Sequence, residues 1–340
     1  ATLSQGQLRV LLLARAFIRK PRLLLLDECS EGLDKEHRNR IFEILEGMIE
    51  STTMFFATHR LRYLPTFCKR HFYADHGTVV ETSSLGQNVS RRTPISCPLP
   101  TIGHAIFTVE NATVFLDGVE VLHNITWNVF SGEHWLVRGE NGSGKSTLLR
   151  LLYGDAVPAC GGSIRRWMPS AGEHGEEVSV LAELRKKVSF VSPHLESSYD
   201  YPVSAWDLVL TGFENSIGVY REYTQEEKQA ALFLIAKFFP EEDLETLLTK
   251  PKALLSTGEL RRLFLARSLV VKPDVLLMDE PCSSLDFASR ERYLHLLEQV
   301  VQGKFFNKSV TLIYVSHNES DIPGCINRSA VMKNGCLRVE

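Results

Sequence analysis

The chain has 340 residues, 44% hydrophobic and 23% charged, with a formal net charge of -3, so it has room for two ordinary globular domains and offers nucleic acid or an anionic membrane no general attraction. Its longest apolar run, Ala230 to Ala236, is far short of the ~18 residues of a membrane-spanning helix. Seven scattered cysteines without a C-x-x-C pair argue for reduced thiols inside the cell, in the cytoplasm or an organelle, rather than for a disulfide frame or a zinc site.

In chain order, "LSQGQLRVLLLARAF" at 3–17 comes first. Its apolar residues recur at helical spacing, and Ser4 with Gln7 forms an S-x-x-Q capping pattern, so a helix is predicted to start at Ser4. Gly6 leaves room there for another backbone or a ligand. A capped helix start explains these residues by itself, but its bare N–H groups also suit an anion. "LLLLDE" at 23–28 reads as a buried parallel strand ending in Asp27 and Glu28. Asp34 and His59 follow. Residues 83–103, rich in Ser, Pro and Gly, read as a linker.

The strand "HWLVR" leads into Gly139-Glu140-Asn141-Gly142-Ser143-Gly144-Lys145-Ser146, a full G-x-x-x-x-G-K-S, and Thr147 continues into the helical pattern "STLLRLLYG". Glycines let backbone N–H groups converge on phosphate oxygens, and the helix N-terminus adds positive potential. In this motif Lys145 reaches the β- and γ-phosphates and Ser146 ligates Mg²⁺. The predicted ligands are therefore ATP and Mg²⁺.

Beyond the cradle, "TQEEKQAALFLIAKFF" at 224–239 has a capping box at Thr224 and Glu227 and helical apolar spacing. Phe233, Phe238 and Phe239 are expected in the core. "LLSTGELRRLFLARSLV" at 254–270 is a second amphipathic helix, capped by Ser256 and Glu259 around Gly258. "PDVLLMDEP" at 273–281 is a buried strand that delivers Asp279, suited to Mg²⁺, and Glu280, suited to polarising the attacking water. "TLIYVSH" ends at His317, which is either a polar strand end or a contact to the γ-phosphate.

Residues 3–34 match 255–286 without gaps: Ser4 pairs with Ser256, Asp27 with Asp279 and Asp34 with Asp286, each 252 apart. His59 and His317, and Gly77 and Gly335, lie 258 apart, which places a six-residue insertion near "VVQGKFFNKSV". The expected organisation is the C-terminal part of a first domain at 1–82, a linker at 83–103 and a complete second copy at 104–340.

The order of cradle, L-S-x-G-[QE], acidic strand, "SSLD" and His resembles that of the ABC-type ATPases, over nearly the whole chain and in two copies. The resemblance implies an α/β P-loop NTPase of ABC type: a RecA-like core sheet, an antiparallel β-subdomain and a helical subdomain inserted at 203–250. It also implies two nucleotide-binding domains meeting head to tail, the signature of each facing the γ-phosphate held by the other. ATP in the cradle 139–147 would then be served by Lys145, Glu280 and His317 as catalytic groups, by Ser146 and Asp279 at the metal, and by Ser4 and Gly6 in trans. Ser256 and Gly258 would serve the cradle of the first copy, expected upstream of Ala1, so Asp27, Glu28 and His59 are expected to face no nucleotide. Asp34 and Asp286 match the bridging D-loop. The adenine-stacking aromatic falls near Leu116, which makes Phe115 the candidate, against a core alternative. The family's Gln after "VSFV" is replaced by Pro193-His194. The wording of 111–135, 189–199 and 210–220 resembles the soluble tandem ATPases named for molybdate transport and photorepair, the ModF/PhrA group. This implies a soluble MgATP hydrolase with an unidentified membrane or soluble partner. The alternatives are an ATP-binding subunit of a membrane transporter and an ATP-switched ribosome or nucleic-acid factor, the latter disfavoured by net charge and the short linker.

Overall fold

A computed structural model of the chain describes residues 5–30, 33, 35–58, 64–75, 78–82, 103–168 and 176–340. Ser4, Asp34, His59, Gly77 and linker residues 83–102 lie outside the described residues. The chain divides into two compact units, Ala1–Arg92 and Thr93–Glu340, with the border inside the expected linker.

The first unit contains α1 (Gln5–Phe17), β1 (Leu23–Asp27), α2 (Lys35–Glu46), β2 (Thr53–Ala57), β3 (His71–Asp75) and β4 (Thr78–Thr82). β1 and β2 pair in parallel, Leu23 with Thr53 through Asp27 with Ala57, and β3 and β4 form an antiparallel hairpin. Strand alternation turns Leu24 and Leu26 into a small core with Leu33, Ile41 and Leu45. On the opposite face Leu23, Leu25 and Phe55 are exposed.

The second unit begins with β5 (Ala105–Leu116), β6 (Val119–Phe130) and β7 (His134–Arg138), followed by α3 (Lys145–Tyr153), β8 (Ser163–Met168), β9 (Glu176–Glu177), α4 (Leu181–Lys187) and β10 (Val188–Val191). α5 (Pro193–Ser197), α6 (Ala205–Leu210), α7 (Gln225–Phe238), α8 (Leu244–Thr249) and α9 (Thr257–Leu269) come next. The unit closes with β11 (Val275–Asp279), α10 (Phe287–Val301), β12 (Thr311–Val315), β13 (Arg328–Lys333) and β14 (Cys336–Val339).

β5 and β6 are joined at Asp117-Gly118, both at positive φ, 50 and 78, the conformation that matches a tight hairpin to the twist of its strands. With β8 and β9 they form an antiparallel sheet in the order β6-β5-β8-β9. The central sheet runs β10-β11-β12-β7-β13-β14, parallel except at the last pair. The central strands β11 and β12 are buried at every position and read as nearly continuous apolar runs because both faces are covered. Val275, Leu277, Ile313 and Val315 face the core shared with α3 and the antiparallel sheet. Leu276, Met278, Leu312 and Tyr314 face the core shared with α6, α7 and α9.

α7 and α9 carry the expected capping boxes, each with both reciprocal bonds formed. α9 differs from the amphipathic expectation: it lies in the interior with Arg261, Arg262 and Arg267 buried. A helix enclosed on all sides must partner its charges. Arg262 donates to the Phe238 carbonyl at 2.8 Å and stacks on Phe239, and Arg267 donates to the Tyr199 hydroxyl at 2.8 Å. Phe238 and Phe239 are core residues, but Phe233 is 45% exposed, on the solvent side of α7 beneath Lys237. Its position in the run is set by helix rotation, which "AALFLIA" leaves open because apolar residues occupy every side of the helix.

His134 opens β7 and is buried, with Nδ1 3.4 Å from the Leu312 N–H, and burial lowers its pKa to about 4. A histidine depressed in the fold stabilises it fully above the ordinary value of 6.5 and loses that contribution as pH falls towards about 4. All four tryptophans belong to the second unit, so their fluorescence follows its unfolding. The expected loss from this site between pH 6.5 and 4 is on the order of 3 kcal/mol, and urea titrations of His134→Gln should show a shallower acid limb than the parent. Leu277→Ala, in the centre of the sheet, should cost roughly 3 kcal/mol in the same assay.

Candidate functional site

The site is assembled at the C-terminal ends of neighbouring parallel strands, where ligands bind in such sheets. β11, β12 and β7 are adjacent and in register: Asp279 pairs with Val315, and Val315 with Val137. Three chain segments therefore leave the sheet side by side. The cradle follows β7, Glu280 follows β11, and His317 follows β12. Pro193 leaves β10, the next strand in the row.

The cradle is built to present backbone donors. Gly144 precedes α3 at φ 105, in the left-handed region, and no side chain caps the helix. The first N–H groups of α3 are thus left for a ligand. A Cβ on Gly144 would press on Leu122 of β6, so the antiparallel sheet abuts the cradle directly. Ser143 is buried and its hydroxyl has no protein partner among the described residues. A buried hydroxyl without a partner costs stability, and a phosphate oxygen in the cradle would satisfy it. Lys145 Nζ donates to the carbonyls of Gly139 at 2.8 Å and Glu140 at 2.7 Å. Burial lowers its pKa, opposed by Glu280, Asp279 and Glu140.

Asp279 is buried at the end of β11. Burial raises its pKa, countered by a hydrogen bond from Ser146 and by the charge of Lys145. The Ser146 hydroxyl and the Asp279 carboxylate are oxygen donors suited to Mg²⁺, which binds few protein groups and retains waters. Among the described residues no cluster of three or more His, Cys, Asp or Glu could hold a metal on its own. Glu280 takes a left-handed φ of 46, its N–H bonds the Val315 carbonyl at 3.0 Å, and its Oε1 lies 2.8 Å from His317 Nδ1. The carboxylate and imidazole are thus paired beside the cradle.

The remaining candidates are placed as follows. Phe115 is 51% exposed, opposite Glu120 beside the hairpin turn, so it is not a core residue. Ser256 caps α9, accepting from Glu259 N–H at 3.2 Å. Gly258 packs on α10, where an added Cβ would come within 2.6 Å of Ser289 Oγ. These contacts account for both residues inside the second unit, with none to the cradle. Gly6 lies in the first turn of α1. One group escaped the sequence reading: Arg261, buried, with Glu196 and Ser283, each bonded to it. Their separation of 65 and 22 residues leaves no local pattern to find.

Comparison with known proteins agrees with this geometry. The family described as ABC transporter matches residues 122–283. The chain is 33% identical over 230 residues to the uncharacterized ABC transporter ATP-binding protein YmeB of Lactococcus lactis, covering 68% of this chain and 84% of that protein. It is 29% identical over 346 residues to the ABC transporter ATP-binding protein ModF of Escherichia coli, covering 95% of this chain and 68% of ModF. A solved nucleotide-free ATP-binding cassette from an ABC transporter superposes with a TM-score of 0.55 at 22% identity, over 69% of this chain and 92% of that one. The chain belongs to the ABC transporter ATP-binding family. It is an ATP hydrolase with the α/β P-loop fold of that family.

Removing the cradle ammonium by Lys145→Ala should weaken ATP binding roughly 10- to 100-fold, read by titration with a fluorescent ATP analogue. Glu280→Gln should leave that affinity within a few-fold and lower kcat by about 10²-fold or more.

Proposed function

We propose that the chain hydrolyses MgATP in a composite site. The cradle 139–147 holds the phosphates, Ser146 and Asp279 hold Mg²⁺, Glu280 polarises the attacking water, and His317 orients Glu280 and contacts the γ-phosphate. The carrying observation is the 2.8 Å pair of Glu280, just past β11, and His317, just past β12, the strand next to β7. Phe115, exposed at the hairpin end, offers a face on which adenine stacks.

In this reading residues 1–82 are the C-terminal part of a first copy of the nucleotide-binding fold, whose signature residues Ser4 and Gly6 would serve ATP in trans. The element boundaries support the repeat. α1 and α9, and β1 and β11, lie 252 apart, and β2 and β12 lie 258 apart. Lys20 and Lys272, and Glu28 and Glu280, share the left-handed conformation. Glu28 N–H bonds the Ala57 carbonyl as Glu280 N–H bonds that of Val315. Similarity to ModF across 95% of the chain supports a tandem ATPase of that group working inside the cell. Among the described residues no helix is long and apolar enough to cross a membrane.

Gly6→Arg tests the trans contact. ATP affinity at the cradle should stay within about threefold while hydrolysis falls at least tenfold. Wild-type turnover in that variant would exclude the composite site. The sequence holds one complete G-x-x-x-x-G-K-S, so equilibrium dialysis of Glu280→Gln should count one ATP per chain, and two would overturn the reading.

A further inference from the structure

Glu280 has a backbone conformation that a β-carbon disfavours, at φ 46. Two bonds hold the start of its turn: its own N–H to Val315 and the Ser283 N–H to the Glu280 carbonyl, 3.1 Å. Ser283 is in turn held from outside the turn. Arg261, on α9, donates through Nη2 to Ser283 Oγ at 3.0 Å and to the Ser283 carbonyl at 3.3 Å. Its other terminal nitrogen, Nη1, forms an ion pair with Glu196 of α5. The Arg261 and Glu196 side chains are only 7% and 13% exposed, so water does not compete effectively for this charge.

α5 is anchored in its own right. Ser192 caps it, accepting from the Leu195 N–H, and Lys252 Nζ donates to the carbonyls of Glu196, at 2.8 Å, and Tyr199. Arg261 thus spans three segments: the helix that replaces the expected Gln after β10, the interior helix α9, and the turn that carries Glu280. A guanidinium can do this because its donors form a rigid planar fork with two outward-facing ends. An ammonium at the end of a Lys side chain is a single point and cannot hold a carboxylate on one side and a serine on the other.

We propose that Arg261, braced by Glu196, is a positioning residue for hydrolysis: it fixes the 280–283 turn and so holds Glu280 where it acts on the attacking water. Its bonds are to Glu196 and Ser283, and it acts on Glu280 through the turn. This rests on the reading of Glu280 as the water-polarising group.

The test compares Arg261→Lys, Ser283→Ala and the double variant in the full-length chain. Arg261→Lys keeps the charge facing Glu196, and so the fold, but loses the bridge. Expected are a kcat about tenfold lower, ATP affinity and KM within twofold of the parent, and an unchanged melting temperature. Ser283→Ala should lower kcat three- to tenfold, and the double variant should be no slower than Arg261→Lys alone, because both changes cut the same link. Glu280→Gln serves as the control. Should it retain hydrolysis, the reading of Glu280 is wrong. Should it lose hydrolysis while Arg261→Lys and Ser283→Ala both turn over within twofold of the parent, the positioning role alone is wrong. Loss of ATP affinity in parallel with kcat, or activity that merely tracks the folded fraction, would also overturn it.

Discussion

The in-register parallel pairing of β11 with β12 and of β12 with β7 is the constraint on which the site depends. Because Asp279, Val315 and Val137 lie across from one another, whatever follows each strand emerges at one rim of the sheet. A shift of one residue in either pair would turn every strand side chain to the opposite face and separate Glu280 from His317. Two cores guard against that shift. Residues at alternate positions of β11 and β12 are committed to α3 on one face and to α6, α7 and α9 on the other, so a slipped register would exchange the side chains fitted to the two layers.

On that frame the chain gathers its polar groups at one rim of the sheet. Lys145 and Asp279 are buried there, Glu280 and His317 stand more exposed beside them, and Lys145 is stabilised by loop carbonyls as well as by the acids. Among the described residues the Ser143 hydroxyl has no partner and no side chain caps the first N–H groups of α3. Such a loop is organised around an anion before the anion arrives, so little reorganisation accompanies binding. The left-handed conformation of Glu280 belongs to the same design, because it turns the chain sharply off β11 while the carboxylate stays beside His317.

Much of this was legible in the residues. The cradle, the acidic strand and His317 were readable because their chemistry demands fixed residue types at fixed spacing, and the capping boxes of α7 and α9 because they are local. The alternation of the central strands was not readable, since a strand covered on both faces shows no alternation in sequence. Nor was the interior setting of α9, whose arginines look like a solvated face until Phe238, Tyr199 and Glu196 come round to partner them. Phe233 was misplaced for the related reason that the unbroken apolar run Ala230 to Ala236 within α7 does not declare which of its residues faces out.

The sequence by itself determined the family, the phosphate-binding chemistry and the recurrence of one pattern at offsets of 252 and 258, because each is written in contiguous residues. Only the tertiary structure decided which strands are neighbours, which helix is enclosed, and that Arg261 joins Glu196 to the turn bearing Glu280. Those are contacts between residues far apart in the chain, and they follow from strand order and register, which local composition does not encode.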